Sequence, residues 1–344
     1  MMSRMPAAPT PEFVRVPLPL VTRELERVLA GLRFSPERAA TCARLFAEAS
    51  LDGVASHGLN RFPRFVEQAR GGLVLVDAQP QRVAAFQAWE QWDGCLGPGN
   101  LNALACTDRA IALARQHGIG CVALANTNHW MRGGSYGWHA AQRGCGLLAW
   151  TNTKPNLPPW GSAVARLGNN PLVVAIPQGD TPVVLDMAMS QFSYGRLEVA
   201  SLRRETLPVP GGFDTEGRLT TDPAEILASE RPLPAGYWKG AGLALVLDLL
   251  AATLSGGRST ADIGHQGEEF GLSQVFVAFD VAGRVGSHAA YVVATVLDDL
   301  ARTPPLDPAQ PIRHPGEQVL RARHENLRLG VPIDGGVWKA IRSL

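Results

Sequence analysis

The amino-acid sequence predicts an α/β protein that does not use the Rossmann dinucleotide-binding fold. Short apolar runs bounded by glycine and proline, at 172–176 and 183–187, are typical of buried strands, and segments of helical period lie between such runs. Gly118-Ile119-Gly120 precedes the strand predicted at 121–125, whereas a dinucleotide fingerprint has its glycines after a strand and before a helix. Neither G-x-G-x-x-G nor a P-loop occurs in the chain.

The composition is that of an ordinary globular protein, and it excludes several classes. The chain has 344 residues, 46% of them hydrophobic, which is enough for two domains or one large one. The net charge of +1 indicates neither a nucleic-acid partner nor an acidic membrane surface. No apolar run reaches the roughly 18 residues of a membrane span. We expect no export signal and no metal, and the five scattered cysteines predict reduced thiols of a cytoplasmic protein.

The first third of the chain predicts three helices after a loose, proline-rich arm at 1–20. Thr22 is expected to cap the first helix, and Ser35, followed by proline and glutamate, the second. The second helix ends at Gly53, and the turn 54–58 leads into the third. Short strands are expected within 73–93, and Asn100 is expected to cap a helix that runs to about residue 116.

The remaining elements are predicted from apolar period and from proline and glycine. The helix that opens at 236–240 is expected to bury a stripe of Leu243, Val246, Leu247, Leu250 and Leu254. The other expectations are a helix at 138–143, strands at 146–150 and 273–281, an irregular segment at 201–235 with a short helix after Asp222, a helix capped by Ser287, a proline-rich linker near 304–308, a helix from Pro315 to Gly330, and a last helix capped by Asp334.

Residues 128–138 form the stretch around which we organise the function. Their sequence, Asn-His-Trp-Met-Arg-Gly-Gly-Ser-Tyr-Gly-Trp, combines His129 and Arg132 with aromatic rings and glycines. Apolar walls, a few polar groups and backbone open to close approach are typical of a small-molecule site. A glycine-rich turn with a hydrogen-bonded core histidine is the other interpretation, and this stretch alone favours neither.

Ser56, His57 and Arg61 form a second candidate group, in a turn between two helices. Loops held by rigid elements often carry catalytic groups. An imidazole and a guanidinium together suit a substrate with a carboxylate and a proton-accepting oxygen. The alternative is that Ser56 and His57 serve only to cap the next helix.

Two further charged residues have two interpretations each. Asp186 interrupts an apolar strand, so it is either a site residue or an acceptor for neighbouring backbone or arginine donors. Lys239 stands beside Trp238 at a helix start, where a phosphate or carboxylate could bind. The other interpretation is a solvated lysine that covers the tryptophan ring.

Together these residues resemble the malate/L-lactate dehydrogenase family of the non-Rossmann type, whose fold is also called sulfolactate-dehydrogenase-like. The resemblance runs from about residue 22 to residue 344. The matching segments are Ser56-His57-Gly58, 60–65, 128–138, 158–161, 170–177, 186–199, 210–214 and 236–240.

The resemblance implies a fold, an assembly and a cofactor. It implies a mixed-sheet nicotinamide-cofactor domain at 83–284, and a helical domain built from both termini, 1–82 and 285–344. It also implies a homodimer that uses NADH, with NADPH as the alternative. The residues implied to bind the cofactor are Pro182, Val183, Val184, Leu185, Asp186, Met187, Ala188, Trp238, Lys239, Gly316, Glu317 and Gln318.

The implied reaction is hydride transfer to the keto carbon of a small 2-keto sugar acid, with 2,3-diketo-L-gulonate first. His57, protonated near neutral pH, is implied to be the proton donor, assisted by Ser56. Arg61 is expected to bind the substrate carboxylate, His129 and Asp186 to orient or polarise the site, and Lys239 to face a cofactor phosphate or ribose.

Departures from the family pattern bear on the substrate and on the choice between NADH and NADPH. They are Lys154-Pro155-Asn156, Gln191, Arg196 and the order of polar residues at 313–318. Other substrates to consider are malate, lactate, ureidoglycolate and cyclic imino acids such as piperideine-2-carboxylate. A metal-dependent hydrolase using His57, His129 and Asp186 lacks a supporting ligand spacing, and a catalytically silent sugar-acid-binding protein is the third interpretation.

Overall fold

The computed structural model describes residues 13–344 as a mixed α/β protein with helices on both faces of one large sheet. The fold class predicted from the sequence is confirmed. The strands are β1 (Phe13–Val16), β2 (Gln81–Phe86), β3 (Trp89–Asp93), β4 (Ile119–Thr127), β5 (Gly146–Thr151), β6 (Leu172–Ile176), β7 (Val183–Met187), β8 (Gly212–Phe213), β9 (Leu219–Thr220), β10 (Leu272–Phe279) and β11 (Val331–Asp334). The helices are α1 (Leu18–Gly31), α2 (Pro36–Leu51), α3 (Phe62–Arg70), α4 (Gly99–His117), α5 (Gly134–Ala141), α6 (Tyr194–Arg203), α7 (Pro223–Ser229), α8 (Trp238–Ser255), α9 (Thr260–His265), α10 (Val281–Ala301), α11 (Glu317–Leu329) and α12 (Gly335–Ser343).

The large sheet has seven strands in the order β2-β3-β4-β10-β5-β6-β7, so β7 is an edge strand. The β3–β4 pair is parallel and the other pairs are antiparallel. Alternate residues point to opposite faces, as the period of two requires. One face packs against α4 and α5 through residues such as Val122 and Phe276, and the other packs against α8 through Val275 and Trp150.

The two ends of the chain share a separate hydrophobic core. β1 pairs antiparallel with β11, and buried side chains of α1, α2 and α3 pack with Ile333 and Ile341. The prediction of a loose arm at 1–20 is therefore wrong for residues 13–20, and residues 1–12 lie outside the described chain. The boundaries at 82 and 284 fall within β2 and α10, and the division into domains stays a prediction.

Helix caps show where local sequence signals decide the structure and where packing does. Ser35 and Asp334 each accept a hydrogen bond from a backbone N–H of the first turn, as predicted. Asp222 does the same for the short helix predicted after it. Thr22 is wrong as a cap, because α1 begins earlier and the Thr22 hydroxyl donates to the Leu18 carbonyl at 3.0 Å.

The caps predicted at Asn100 and Ser287 are also wrong. Asn100 lies inside α4 and is fully buried, with its amide nitrogen 3.2 Å from Cys42 Sγ. Ser287 lies inside α10, which begins earlier because Asp280 accepts a hydrogen bond from Gly283 N at 3.2 Å. The residues at the N-cap positions are Pro98 for α4 and Asp280 for α10.

Helix α8 corrects two expectations. Its buried side is lined by small residues, Ala241, Ala244 and Ala251, together with Leu247, and Leu254 packs against the same core. The predicted stripe is therefore right for Leu247 and Leu254 and wrong for its other members: Val246 is 48% exposed. Leu243 and Leu250 are exposed as well. The helix is therefore apolar on more than one side.

By length and composition α8 is also long and apolar enough to cross a membrane, so the statement that no such run exists is corrected. Its packing is that of a helix that covers a sheet. Buried Asp248 accepts hydrogen bonds from Asn152 Nδ2 at 2.9 Å and from Thr260 N at 2.8 Å. Such a helix in a globular protein needs a second apolar surface on its outer side.

Candidate active site

The His57 turn is anchored firmly to the preceding helix. Residues Ala55–His57 form one 3₁₀ turn between α2 and α3. Ser50 Oγ, on α2, accepts a hydrogen bond from Leu59 N at 2.8 Å. The Ser56 hydroxyl lies 3.0 Å from His57 Nδ1. This contact orients the imidazole and leaves Nε2 as the ring nitrogen that can face a reacting group.

The structure brings His129 against His57. The two rings are nearly parallel, with 5.8 Å between their centroids and 25° between their planes. His129 Nδ1 accepts a hydrogen bond from Met131 N at 2.9 Å, so the ring proton of the neutral form is on Nε2. Met131 has a positive φ of 64°, which turns the chain tightly beneath the ring. His129 is thus positioned as a hydrogen-bond donor.

Both imidazoles are held toward their neutral forms. Burial lowers the pKa of His57 below its ordinary value of 6.5, the Asp186 carboxylate raises it, and the Arg61 and Arg132 guanidinium groups lower it. Burial, followed by the charges of Arg61 and His57, lowers the pKa of His129 well below 6.5. The interpretation that His57 is protonated near neutral pH is therefore wrong for the protein without substrate. A bound anion would raise the pKa of His57 again.

Asp186 closes one side of this group. Its Oδ2 atom accepts a hydrogen bond from Gly134 N, the first residue of α5, at 2.7 Å. A Cβ on Gly134 would lie 2.8 Å from the same oxygen, so glycine is required for this approach. Asp186 itself is an exposed residue on the edge strand β7. Both alternatives for Asp186 therefore have support, since it accepts a backbone donor and also acts electrostatically on His57.

Glu269 is a site residue that the sequence reasoning missed. Its carboxylate lies 3.9 Å from Arg61 Nη2, and the Glu269 side chain is only 8% exposed. It follows α9 on a turn between Gly267 and Gly271, both with positive φ. Two consecutive glutamates between glycines were the only signal in the sequence. The structure thus gives Arg61 a carboxylate partner in the absence of substrate.

The comparisons with known proteins decide the family. The family model described as malate/L-lactate dehydrogenase matches residues 17–342. The chain belongs to this family.

Relatives and solved structures agree with this assignment. A 2,3-diketo-L-gulonate reductase of Citrobacter koseri is 47% identical over 320 residues, which cover 92% of this chain and 96% of that protein. The sulfolactate dehydrogenase of Methanocaldococcus jannaschii superposes with a TM-score of 0.86 at 27% identity, covering 96% of each chain. A δ1-piperideine-2-carboxylate reductase of Pseudomonas syringae superposes with a TM-score of 0.83 at 25% identity, covering 96% of this chain and 99% of the other. The chain is therefore an oxidoreductase of the dehydrogenase and reductase type, and this family implies a nicotinamide cofactor.

Two of the three segments that the malate/L-lactate dehydrogenase resemblance assigns to the cofactor lie side by side. Val184 N donates to Pro315 O at 3.1 Å, which places the start of α11 along the free edge of β7. Gly316 has a φ of +100°, and a Cβ there would lie 3.2 Å from Pro182 O. Glycine therefore lets α11 begin this close to β7. The N-terminus of α11 beside the edge strand forms a cradle that suits an anionic group of a dinucleotide. Glu317 and Gln318 follow at the first helical positions.

The third segment, Trp238 and Lys239, starts the helix on the other face of the sheet. Both residues are exposed, and Lys239 Nζ lies 6.0 Å from the centre of the Trp238 ring. The chain before them runs beside the residues that follow β7, because Ala235 N donates to Met189 O at 2.8 Å. The lysine thus covers a tryptophan ring near the end of the cofactor strand, and its cofactor role stays a prediction.

Several residues that depart from the family pattern form hydrogen bonds or ion pairs within the chain. Asn156 accepts a hydrogen bond from Asn169 N at 2.7 Å, so the segment at 154–156 supports the turn at 168–171. Gln318 accepts a hydrogen bond from Arg313 at 3.1 Å, and Glu317 pairs with Arg321 at 2.6 Å. The polar groups around Gly316 are therefore partnered within the chain.

Proposed function

We propose that this enzyme reduces the keto carbon of a small 2-keto sugar acid, 2,3-diketo-L-gulonate in first place, with NADH as the reductant. The observation that carries the proposal is the stack of His57 on His129 beside Arg61 and Asp186. The relative from Citrobacter koseri supports the substrate. Reductases of other 2-keto or cyclic imino acids, and malate, lactate or ureidoglycolate dehydrogenases, are the alternatives within the family.

The residues of this chain divide the work around a bound keto acid. The nicotinamide, when bound, supplies the hydride. His57 donates the proton that the keto oxygen requires, from Nε2, since Nδ1 faces Ser56. Neutral His129 donates a hydrogen bond to a substrate oxygen. Arg61 binds the substrate carboxylate, whose negative charge raises the pKa of His57 toward the protonated form that the step needs.

Glu269 supports a sugar acid over a simple keto acid. A carboxylate accepts hydrogen bonds from hydroxyl groups, and Glu269 stands beside Arg61, within reach of a hydroxyl group on a sugar acid whose carboxylate Arg61 binds. Pyruvate offers no hydroxyl group to this carboxylate. The Glu269 contact therefore favours the sugar acid among the keto acids of similar size.

The acidic residue at the start of α11 supports NADH over NADPH. In Rossmann sites a carboxylate binds the ribose hydroxyls of NADH. By the same electrostatics a carboxylate near the ribose in another fold would repel the 2′-phosphate of NADPH, although here Arg321 lies 2.6 Å from Glu317. Glu317 is the first residue of α11, next to Gly316. We propose NADH as the preferred cofactor on this ground.

A panel of substrates tests the proposed reaction. We expect NADH oxidation, followed by absorbance, to be fastest with 2,3-diketo-L-gulonate and at least tenfold slower with pyruvate, oxaloacetate and piperideine-2-carboxylate. The same panel is repeated with NADPH. A clear preference for the imino acid or for oxaloacetate would reassign the substrate within the family, and turnover with NADPH alone would refute the cofactor preference.

We also propose that the enzyme is cytoplasmic, because its cysteines are free thiols.

We propose further that the enzyme is a homodimer. Two apolar helix faces support the dimer. On α8, Leu245 and Leu249 are 45% and 52% exposed, and on α10, Tyr291 and Val296 are 68% and 60% exposed. α10 has no buried residue within the described chain. Apolar faces of this extent are typical of surfaces that a second copy covers.

The dimer proposal predicts the effect of a charge on α8. We expect Leu249→Asp to convert the protein to a monomer at micromolar concentration, because burying an unpaired carboxylate in an apolar interface is costly. Light scattering coupled to size exclusion measures the mass. Leu306→Asp, at a fully exposed apolar residue outside both helices, is the control and should remain dimeric. A monomeric parent protein would contradict the proposal.

A further inference from the structure

A polar cavity lies between the helical part of the molecule and the helices that cover the sheet. Its volume is about 260 Å³, and side chains from α2, α4, α5 and α11 line it. Drug-sized ligands occupy roughly 300–1,000 Å³, so this cavity suits a small molecule. It lies along the C-terminal half of α5 and behind α11, whereas the predicted cofactor cradle follows the free edge of β7.

Positive charge exceeds negative charge in the lining by two. Four arginines face two carboxylates there, since His139 is paired with Asp108 outside the cavity. Asp52 is shared by Arg132 and Arg323, and Glu48 is shared by Arg44 and Arg323. Arg143, the fourth arginine, donates only to the His139 carbonyl, at 3.0 Å, within the described chain.

Two buried donors of the lining lack an acceptor among the described residues. They are Arg132 Nε and Trp138 Nε1, on side chains that are 4% and 9% exposed. Buried donors in proteins nearly always have a partner, and an unpaired one costs about 1–3 kcal/mol. The apolar part of the wall includes Leu45, Val319 and Leu320. A doubly charged anion with a short carbon chain complements the excess of arginines and the apolar part of the wall.

The cavity connects the two functional regions. Asp52 is the residue that ends α2, just before the His57 turn, and Arg132 also lowers the pKa of His57. On the other side, Trp138 Cζ2 would lie 3.4 Å from a Cβ on Gly316, at the start of α11. A ligand between these groups would therefore touch the supports of both the His57 turn and the predicted cofactor cradle.

We propose that this cavity is a binding site for a small organic dianion, distinct from the substrate and cofactor sites. The ligand places its two anionic groups toward the arginines and its carbon chain against Val319 and Leu320. A dicarboxylate and a phosphorylated three-carbon compound share this chemistry.

Calorimetric titration with succinate, butyrate and glycerol 3-phosphate tests the site, at ionic strength held constant with chloride. Succinate and butyrate differ by one carboxylate, so we expect succinate to bind at least tenfold more tightly. Arg44→Gln and Arg143→Gln each remove an exposed arginine of the cavity lining that no catalytic step uses. Each should weaken the binding of succinate at least tenfold. Arg284→Gln, at an exposed arginine on α10, is the matched control and should bind like the parent.

The outcomes separate clearly. Binding of succinate alone identifies a carboxylate ligand, binding of glycerol 3-phosphate alone identifies a phosphate ligand, and binding of both shows that charge is recognised. The proposal is overturned if neither compound binds the parent, if butyrate binds as well as succinate, or if the Arg143→Gln variant binds like the Arg284→Gln control. Displacement of bound succinate by NADH would also overturn it, because the cavity would then belong to the cofactor site. None of these readouts requires that the enzyme's substrate be known.

Discussion

Replacing His57 with alanine is expected to lower kcat for keto-acid reduction by about 10²- to 10⁴-fold, the contribution of a positioned general acid. The His57 ring is held by Ser56 and stacked on His129, so its removal takes away the proton donor without disturbing β7 or α11. The dissociation constant of NADH, measured by fluorescence titration, should stay within about twofold of the parent value. Loss of kcat with unchanged cofactor binding is the signature of a group that acts in the chemical step.

Ser56→Ala is the matched control for this variant. It removes the 3.0 Å contact to Nδ1 but keeps the imidazole, so we expect a loss of about tenfold or less. If His57→Ala reduced the substrate at the parental rate, His57 would not be the proton donor. If NADH binding were lost as well, the effect would be structural and the role of His57 would have to move to another residue.

The pH profile of the parent enzyme follows from the direction of the His57 shift. Burial and the neighbouring guanidinium groups lower the pKa of His57 below 6.5, and only protonated His57 can donate. In the direction of keto reduction, kcat/KM should therefore fall as pH rises through a pKa below 6.5. In the reverse direction, neutral His57 accepts a proton and kcat/KM should rise with pH. The pKa seen in kcat should be higher, because the bound carboxylate favours the charged imidazole.

The sequence predicted the candidate residues but not their arrangement. His57 and His129 stood out because polar, aromatic and glycine residues were concentrated around each. Their stacking depends on how α2 packs against α4, and such contacts across the chain have no local signal. Glu269 was missed for the same reason, since its importance comes from Arg61, which is distant in sequence. The lowered pKa of His57 could not be read from the sequence either, because burial causes it.

Helices were predicted well where a residue bonds to its own first turn, and poorly where packing decides. Ser35 and Asp334 satisfy backbone donors two or three residues away, so the local sequence contains the whole interaction. Asn100 has the same chemistry, but its amide is used by the buried thiol of Cys42 on another helix. For α8 the apolar period was ambiguous, because leucine and valine occupy its outer side as well as its inner side.

Asp52→Ala is expected to destabilise the protein by about 3–5 kcal/mol, the range for breaking a buried ion pair from one side. Asp52 has a 5% exposed side chain and holds two arginines: Arg132 on the loop before α5 and Arg323 on α11, the latter at 2.7 Å. Without the carboxylate, the Arg132 guanidinium remains buried and loses the negative charge that neutralises it. The midpoint of urea unfolding, with an unchanged m-value, measures the loss.

Two further variants show whether charge or packing is responsible. Asp52→Asn keeps the shape and one oxygen acceptor, so a loss close to that of alanine would show that the charge is what the two arginines require. Glu325→Gln breaks an exposed pair with Arg15, 3.8 Å apart, and should cost less than about 1 kcal/mol. If Asp52→Ala cost no more than Glu325→Gln, the Arg132–Asp52–Arg323 network would not hold α11 against α2. The inferred connection between the cavity and the His57 turn would then lose its structural basis, because Asp52 is the residue that joins them.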